Sequence, residues 1–430
     1  MKTNNHISNF FLFTIVCLLA NTLVFSQTQK KIATKIVEDN FIENFLKQYP
    51  EKFNTILKYP DKYEVQIIYT QINRDEKNIP SFRQYTYRLD PENYFYAASL
   101  VKLPCSALAL EKINNLNIPE LNKNIRMQTD SAAVCQKKVI YDATAFKNDP
   151  TVAHYIKRML LISDNDAYGR IYEFLGQQYM NEELWKKGYP DIRITHRFDA
   201  ACNTAQNRST NPVSFYNDQG KCVYSQTKQT NQTELSNPFG TVKKGIGYID
   251  KKGKLQMQPK DYTYMNNMSL QDITEVLKSL MFPNSVEEKK RFNLTKEDYD
   301  FLYKYLSMYP RESDDPKYKM KDFEDSYKKY FIYGTHHKKI ENDTIRIFNI
   351  VGQSYGYLSD CAYIVNTDRK IEFMLSAVIY VNEDGIINDG KYEYKTIGFP
   401  FLADLGNSFY IYELKRKKEH LPDLSNFKVR

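Results

Sequence analysis

Ser99 and Lys102 stand three residues apart in the run Ala97-Ala98-Ser99-Leu100-Val101-Lys102-Leu103-Pro104, and downstream the chain carries Ser163-Asp164-Asn165. On a helix, residues at this spacing lie on neighbouring ridges of one face. A serine hydroxyl is a weak nucleophile until an adjacent base takes its proton, and a lysine held in a poorly solvated site can be that base. Ser163 adds a second hydroxyl suited to relaying a proton, and Asn165 an amide suited to gripping an amide-like substrate. The chemistry that these types allow is attack of Ser99 on a carbonyl with Lys102 as proton acceptor. Each run alone also fits something commoner: the first an ordinary amphipathic helix, the second a turn or a helix cap.

The elements around the two runs bear on that choice. Two strand-like stretches, 63–70 and 82–89, precede Ser99 and are separated by the polar turn 73–78, so a hairpin is expected. Val152 to Leu161 has helical apolar spacing and leads into Ser163. Residues 30–60 carry an apolar stripe (Ile36, Val37, Phe41, Ile42, Phe45, Leu46, Tyr49) that pauses at Pro50, predicting a helix against the face of a sheet. Residues 97 to about 190 form a helical half. From Thr204 to about Asn266 the chain is polar, with a hairpin expected in 245–255. This is long for a connection; it either shapes the site or is a surface hairpin without a role. A helix is expected from Ser269 to Met281, and another begins at Thr295, whose cap is completed by Asp298. Residues 345–351, 360–366 and 372–381 read as strands, and a helix from about 398 to 413 closes an α/β (α+β) fold.

Hairpin, nucleophile-bearing helix, then a helix ending at a second serine: in this order, the two runs resemble the penicillin-recognising serine hydrolases, and the class A β-lactamases most closely. The resemblance implies an antiparallel sheet flanked by helices with an all-helical subdomain, and an acyl-enzyme on Ser99. Lys102 and Ser163 are then catalytic, and Asn165 binds substrate. The family's K-[ST]-G run finds its best match at Ile350-Val351-Gly352, followed by Gln353. Glycine and strand pattern are present, but an isoleucine cannot pair with a carboxylate as the family's lysine does. Gly352 and Gln353 are the implied substrate contacts, the Gln353 and Ser99 N–H groups forming an oxyanion hole. Arg346, earlier on the same strand, is a candidate replacement cation; a surface arginine is the alternative. The family's R-x-E-x-x-L-N run resembles Arg197-Phe198-Asp199-Ala200-Ala201-Cys202-Asn203, with Asp199 standing for the deacylating glutamate and Asn203 for the asparagine. Asp199 is therefore the implied deacylation base, or else an Asx-turn or a partner of Arg197. His196 is a further candidate base, or a solvated loop histidine. The resemblance implies hydrolysis of a β-lactam or related amide. The alternative is a slow or inactive peptidoglycan-binding or acyl-transfer protein on the same fold.

Residues 1–26 read as a secretory signal peptide: Lys2, an apolar stretch from Phe10 to Phe25, and Ser26 at the cleavage point. Asn21 and Thr22 leave the apolar run short for a span, and Val16 before Cys17 argues against a lipoprotein. The mature chain, 27–430, is then one periplasmic hydrolase domain with an insertion at about 204–266 and no further transmembrane segment. The chain is basic, +8 overall, and interleaved acids favour solvated surfaces over a nucleic-acid groove. A small-molecule amide substrate, no nucleic acid and a monomer are expected. Of six cysteines, five remain after export, so at least one thiol is unpaired; Cys202 and Cys222 flank a polar stretch and can bridge it. No C-x-x-C or H-E-x-x-H spacing occurs, and no metal or cofactor is expected.

Overall fold

The computed structural model describes residues 34–37, 39–132, 135–198, 200–341 and 344–428. The signal-peptide segment and Asp199 lie outside the described residues.

A six-stranded sheet forms the centre. Its strands are β1 (Lys35–Val37), β2 (Gln66–Arg74), β3 (Pro80–Tyr87), β4 (Ile345–Ser354), β5 (Tyr357–Asn366) and β6 (Ile371–Tyr380), in the spatial order β1-β3-β2-β6-β5-β4. All neighbours are antiparallel except β1, which runs parallel to β3. The longer helices are α1 (Phe41–Leu46), α2 (Pro50–Lys58), α3 (Lys102–Leu116), α4 (Val152–Ile162), α5 (Asn165–Leu175), α6 (Gln177–Lys186), α7 (Leu270–Met281), α8 (Lys296–Ser307) and α9 (Phe399–Lys415), with single turns at Thr204–Asn207 and Tyr330–Tyr333.

Helices cover both faces of the sheet, and this explains why β6 is apolar at nearly every position instead of alternating. On one face Ile42, Phe45, Phe53, Phe401, Leu405 and Phe409 of α1, α2 and α9 pack into one core with Ile67, Tyr69, Phe373 and Leu375 of the sheet. On the other face α7 crosses β5, β6 and β2, where Thr274 Oγ1 donates to Ser376 Oγ at 2.7 Å. The stripe at 30–60 departs from expectation at its start: Lys35–Val37 is a strand, and only Phe41 onward is helical. Ile36 and Val37 are β-branched, and pairing with Gln84 and Tyr85 satisfies their backbone.

The other long strands and helices fall where the periodicity places them. Ser269 and Thr295 each cap a helix, with Asp272 and Asp298 closing capping boxes. In the helical half, α3 is buried over most of its circumference and touches α4, α5 and α6. The 204–266 segment is mostly turns and short strands: Val213–Tyr216 pairs with Arg126–Thr129, and Gly247–Ile249 pairs with Leu255–Gln256 and Ile386–Ile387. Lys244 ties it to the body through Glu64 at 2.7 Å.

The expected unpaired thiol is present, but the Cys202–Cys222 bridge is not formed. Cys202 is bonded to Cys135; Cys222 is free and exposed, and Cys105 and Cys361 are free and buried. Cys222 opens a strand paired to Val213–Tyr216, which holds it away from Cys202. Among the described residues no helix is long and apolar enough to cross a membrane, and no group of His, Cys, Asp or Glu is placed to hold a metal ion.

Candidate active site

Ser99 lies in a tight 3₁₀ turn, Ala98–Val101, that runs directly into α3, so Lys102 is the first residue of the α-helix proper. Ala98 has a positive φ of 46°, a backbone state that costs a non-glycine residue about 1–3 kcal/mol. The turn is held by the chain on either side: Leu100 N–H donates to Ala97 O at 3.0 Å, and Leu100 and Val101 are buried.

Lys102 is fully buried. Its Nζ lies 2.9 Å from Ser99 Oγ, 3.2 Å from Ser163 Oγ and 2.6 Å from Asn165 Oδ1, and it also contacts the Ser163 carbonyl oxygen. The Phe198 ring covers it, its centroid 5.3 Å from Nζ. Ser163 is presented by the junction of two helices. It terminates α4 in the left-handed conformation (φ 58°), and Asp164 caps α5 by accepting from Ala167 N–H at 2.8 Å. Arg158 clamps Asp164 at 2.7 Å and Asp142 at 2.6 Å. Burial opposes the charge on Asp142, but hydrogen bonds from His154 and Thr144 and the Arg158 guanidinium hold its carboxyl well below the usual range. Asn165 starts α5, which aims its amide at Lys102.

Gly352 explains how the sheet reaches the nucleophile. β4 is the edge strand, and a Cβ on Gly352 would stand 2.7 Å from Ala97 O and from Ser359 Oγ. Only glycine lets the strand touch the Ser99 turn. Gln353 follows and lines the same cleft as Ser99 and Asn165, a cavity of about 640 Å³. Ile350 is fully buried in the strand, so no cation stands at its position. Arg346 does not substitute: it is buried against Glu312, at 2.8–3.0 Å, and stacked on Tyr309. A half-buried carboxylate at hand captures an arginine that the strand pattern alone leaves unassigned.

The 195–203 loop supplies another wall. Arg197 is buried with its Nε 2.8 Å from Glu173 Oε1 and its guanidinium over the Tyr172 ring; Arg197 therefore anchors the loop to α5. Asn203 is turned to local use, its Oδ1 accepting from Gln206 N–H at 2.8 Å as a helix cap. His196 is half-buried rather than solvated. Its Nδ1–H donates to Arg197 O at 2.8 Å, which leaves Nε2 as the acceptor facing the Tyr96 hydroxyl at 3.4 Å. Burial pushes its pKa down to about 4, against that carbonyl contact and with the Lys260 charge; the ring is neutral at pH 7. Phe198 and Ala200, the neighbours of Asp199, also line the cleft.

The structure thus gathers Ser99, Lys102, Ser163 and Asn165 into one contact group and sets Gly352 and Gln353 beside it. Sequence reasoning missed Lys251, Lys260, Tyr264 and Tyr355 on the cleft wall, Phe198 over the lysine, and Cys135 as partner of Cys202. Lysines and tyrosines are scattered through 204–266 without a period, so nothing local distinguishes the ones that face inward.

The model of the beta-lactamase enzyme family matches residues 49–291, more than half of the chain, a span that includes both catalytic-type runs and ends before β4. No curated protein matches the chain. Among solved structures, the chain is similar to a beta-lactamase from Sphaerobacter thermophilus (11% identity, 87% of this chain and 98% of that one, TM-score 0.44). It is also similar to PBP-A (11%, 88% and 98%, TM-score 0.47) and to the beta-lactamase from Streptomyces albus G (12%, 86% and 99%, TM-score 0.44). On the extent of the family match, this chain belongs to the beta-lactamase enzyme family.

Proposed function

We propose that this protein is an exported, periplasmic serine hydrolase of the class A β-lactamase-like type, which opens a β-lactam or related amide through an acyl-enzyme on Ser99. The observation that carries the reading is the environment of Lys102 Nζ. Ser99 Oγ at 2.9 Å, Ser163 Oγ at 3.2 Å, Asn165 Oδ1 at 2.6 Å and the Ser163 carbonyl oxygen all converge on this one nitrogen, and an amine so placed can take a proton from Ser99 once its own proton has left. Lys102 accepts the Ser99 proton as Oγ attacks the carbonyl carbon, and Ser163, whose Oγ lies 3.2 Å from the same nitrogen, relays a proton to the departing amide nitrogen. The backbone N–H groups of Ser99 and Gln353 hold the oxyanion, a contribution worth about 2.7–4 kcal/mol per donor in related chemistry. Asn165 orients the substrate amide. Asp199 activates the water that releases the acyl group, the part that its position in the run Arg197–Asn203 implies. The 204–266 segment is an insertion that helps wall the cleft.

Incubation with a penicillin followed by intact-mass spectrometry tests this. Wild type gains the mass of the opened penicillin on Ser99, and Ser99→Ala gains none. Absence of any adduct on wild type over hours, together with no turnover of a chromogenic cephalosporin, refutes the proposal. With Asp199→Asn the adduct forms and persists.

A further inference from the structure

Lys260, on the short strand Lys260–Asp261, projects into the cavity that Ser99 lines. Its Nζ sits among three tyrosine rings, 5.3 Å from the centroid of Tyr248, 5.7 Å from Tyr262 and 5.6 Å from Tyr355. The rings brace one another and the nucleophile's flank, Tyr355 lying 5.1 Å from Tyr96 and 5.9 Å from Tyr262. Among the described residues, no carboxylate lies within ion-pair distance of Lys260 and no acceptor takes its N–H groups. Burial lowers the Lys260 pKa from its ordinary value, and the Lys251 charge adds to that; an arriving anion relieves both. Of the other cations near the cleft, Arg197 is committed to Glu173 and Arg346 to Glu312, while Lys251 lines the cavity from an exposed turn, outside the tyrosine cage. Asp261, the acid beside it, accepts from Thr263 N–H at 2.8 Å.

Tyrosine faces replace part of the water that an ammonium loses and hold it in one place. They offer no acceptor strong enough to compete for its N–H groups with a carboxylate. We propose that Lys260, caged by Tyr248, Tyr262 and Tyr355, recognises the carboxylate of an anionic amide substrate, fixing it in the cleft while Ser99 attacks. This rests on the hydrolase reading above and narrows its substrates to acids. The cation position left empty by Ile350 on the edge strand is thereby supplied from a different part of the chain.

The test compares a cephalosporin bearing its free carboxylate with the methyl ester of the same compound, on wild type, Lys260→Met and Lys260→Arg. For the free acid, KM rises about tenfold to a hundredfold in Lys260→Met, the range expected when a charge-assisted hydrogen bond is lost, while kcat is little changed. The ester is turned over alike by wild type and Lys260→Met, and Lys260→Arg keeps the preference for the acid. Equal loss on both compounds, or no loss on the acid, overturns the assignment. If wild type turns over neither compound, the hydrolase reading fails by itself. Calorimetric binding of the two compounds to wild type and Lys260→Met then decides on Lys260: a preference for the acid that the substitution abolishes upholds it, and equal binding overturns it.

Discussion

At the scale of single residues, the cleft puts a neutral imidazole beside a set of buried donors. His196 is tied through Nδ1–H to the Arg197 carbonyl and has its pKa pushed down to about 4 by burial. The unfolded chain protonates this ring near pH 6.5. Between pH 6.5 and 4 the unfolded state therefore binds more protons than the folded one, and stability falls as the pH drops through that window. We expect the His196 ring resonances to titrate near pH 4 by NMR, and His196→Gln to flatten the acid side of the stability curve. A midpoint near 6.5 would show the ring to be solvated. The same shift means that any change in activity between pH 6 and 8 originates in another group.

At the scale of elements, the site depends on how closely the edge strand β4 approaches the 3₁₀ turn. Gly352→Ala inserts a methyl group 2.7 Å from two oxygen atoms, so strand or turn must move. An oxyanion donor displaced by this movement costs about 10²–10³ in rate. Acylation of Ser99 should slow by that order while the melting temperature falls only modestly, as read by the rate of adduct formation and by calorimetry. Unchanged acylation would mean that Gln353 N–H holds no oxyanion. The hairpin, the helix into Ser163, the helix at 269–281 and the Thr295 cap were legible in the sequence, because periodicity and capping are local properties; the cap at Ser269 was not singled out. The strand at Lys35–Val37 was not, since its pairing partner lies near residue 84, and an apolar stripe that short fits helix and strand alike.

At the scale of the whole molecule, the helical half buries the Cys105 thiol against Met180 and the helix-covered sheet buries Cys361, whose pKa burial pushes up to about 12. Cys222 is exposed. A thiol reagent should therefore modify Cys222 rapidly in the native protein and reach Cys105 and Cys361 only after unfolding, with Cys135 and Cys202 recovered as a linked pair by peptide mapping. Early labelling of Cys105 would contradict its burial against Met180. The Cys135–Cys202 bridge and the Arg197–Glu173 pair fasten the 195–203 loop at two points, which keeps the wall around Phe198 and Ala200 in place over Lys102.

By itself, the amino-acid sequence determined the reactive types and their order: Ser99 and Lys102 at helical spacing, Ser163 and Asn165 at a helix junction, a glycine before Gln353, and the loss of the strand cation at Ile350. These are short-range facts, written in spacing and in the steric demands of one turn. The tertiary structure alone decided which cysteine bonds Cys202, that Arg346 is captured by Glu312, that Asn203 caps a helix, and that Lys260 faces the cleft from a tyrosine cage. Those outcomes depend on which distant segments meet. A lysine in a polar stretch carries the same local signal whether it ends in water or beside a nucleophile, and only packing distinguishes the two.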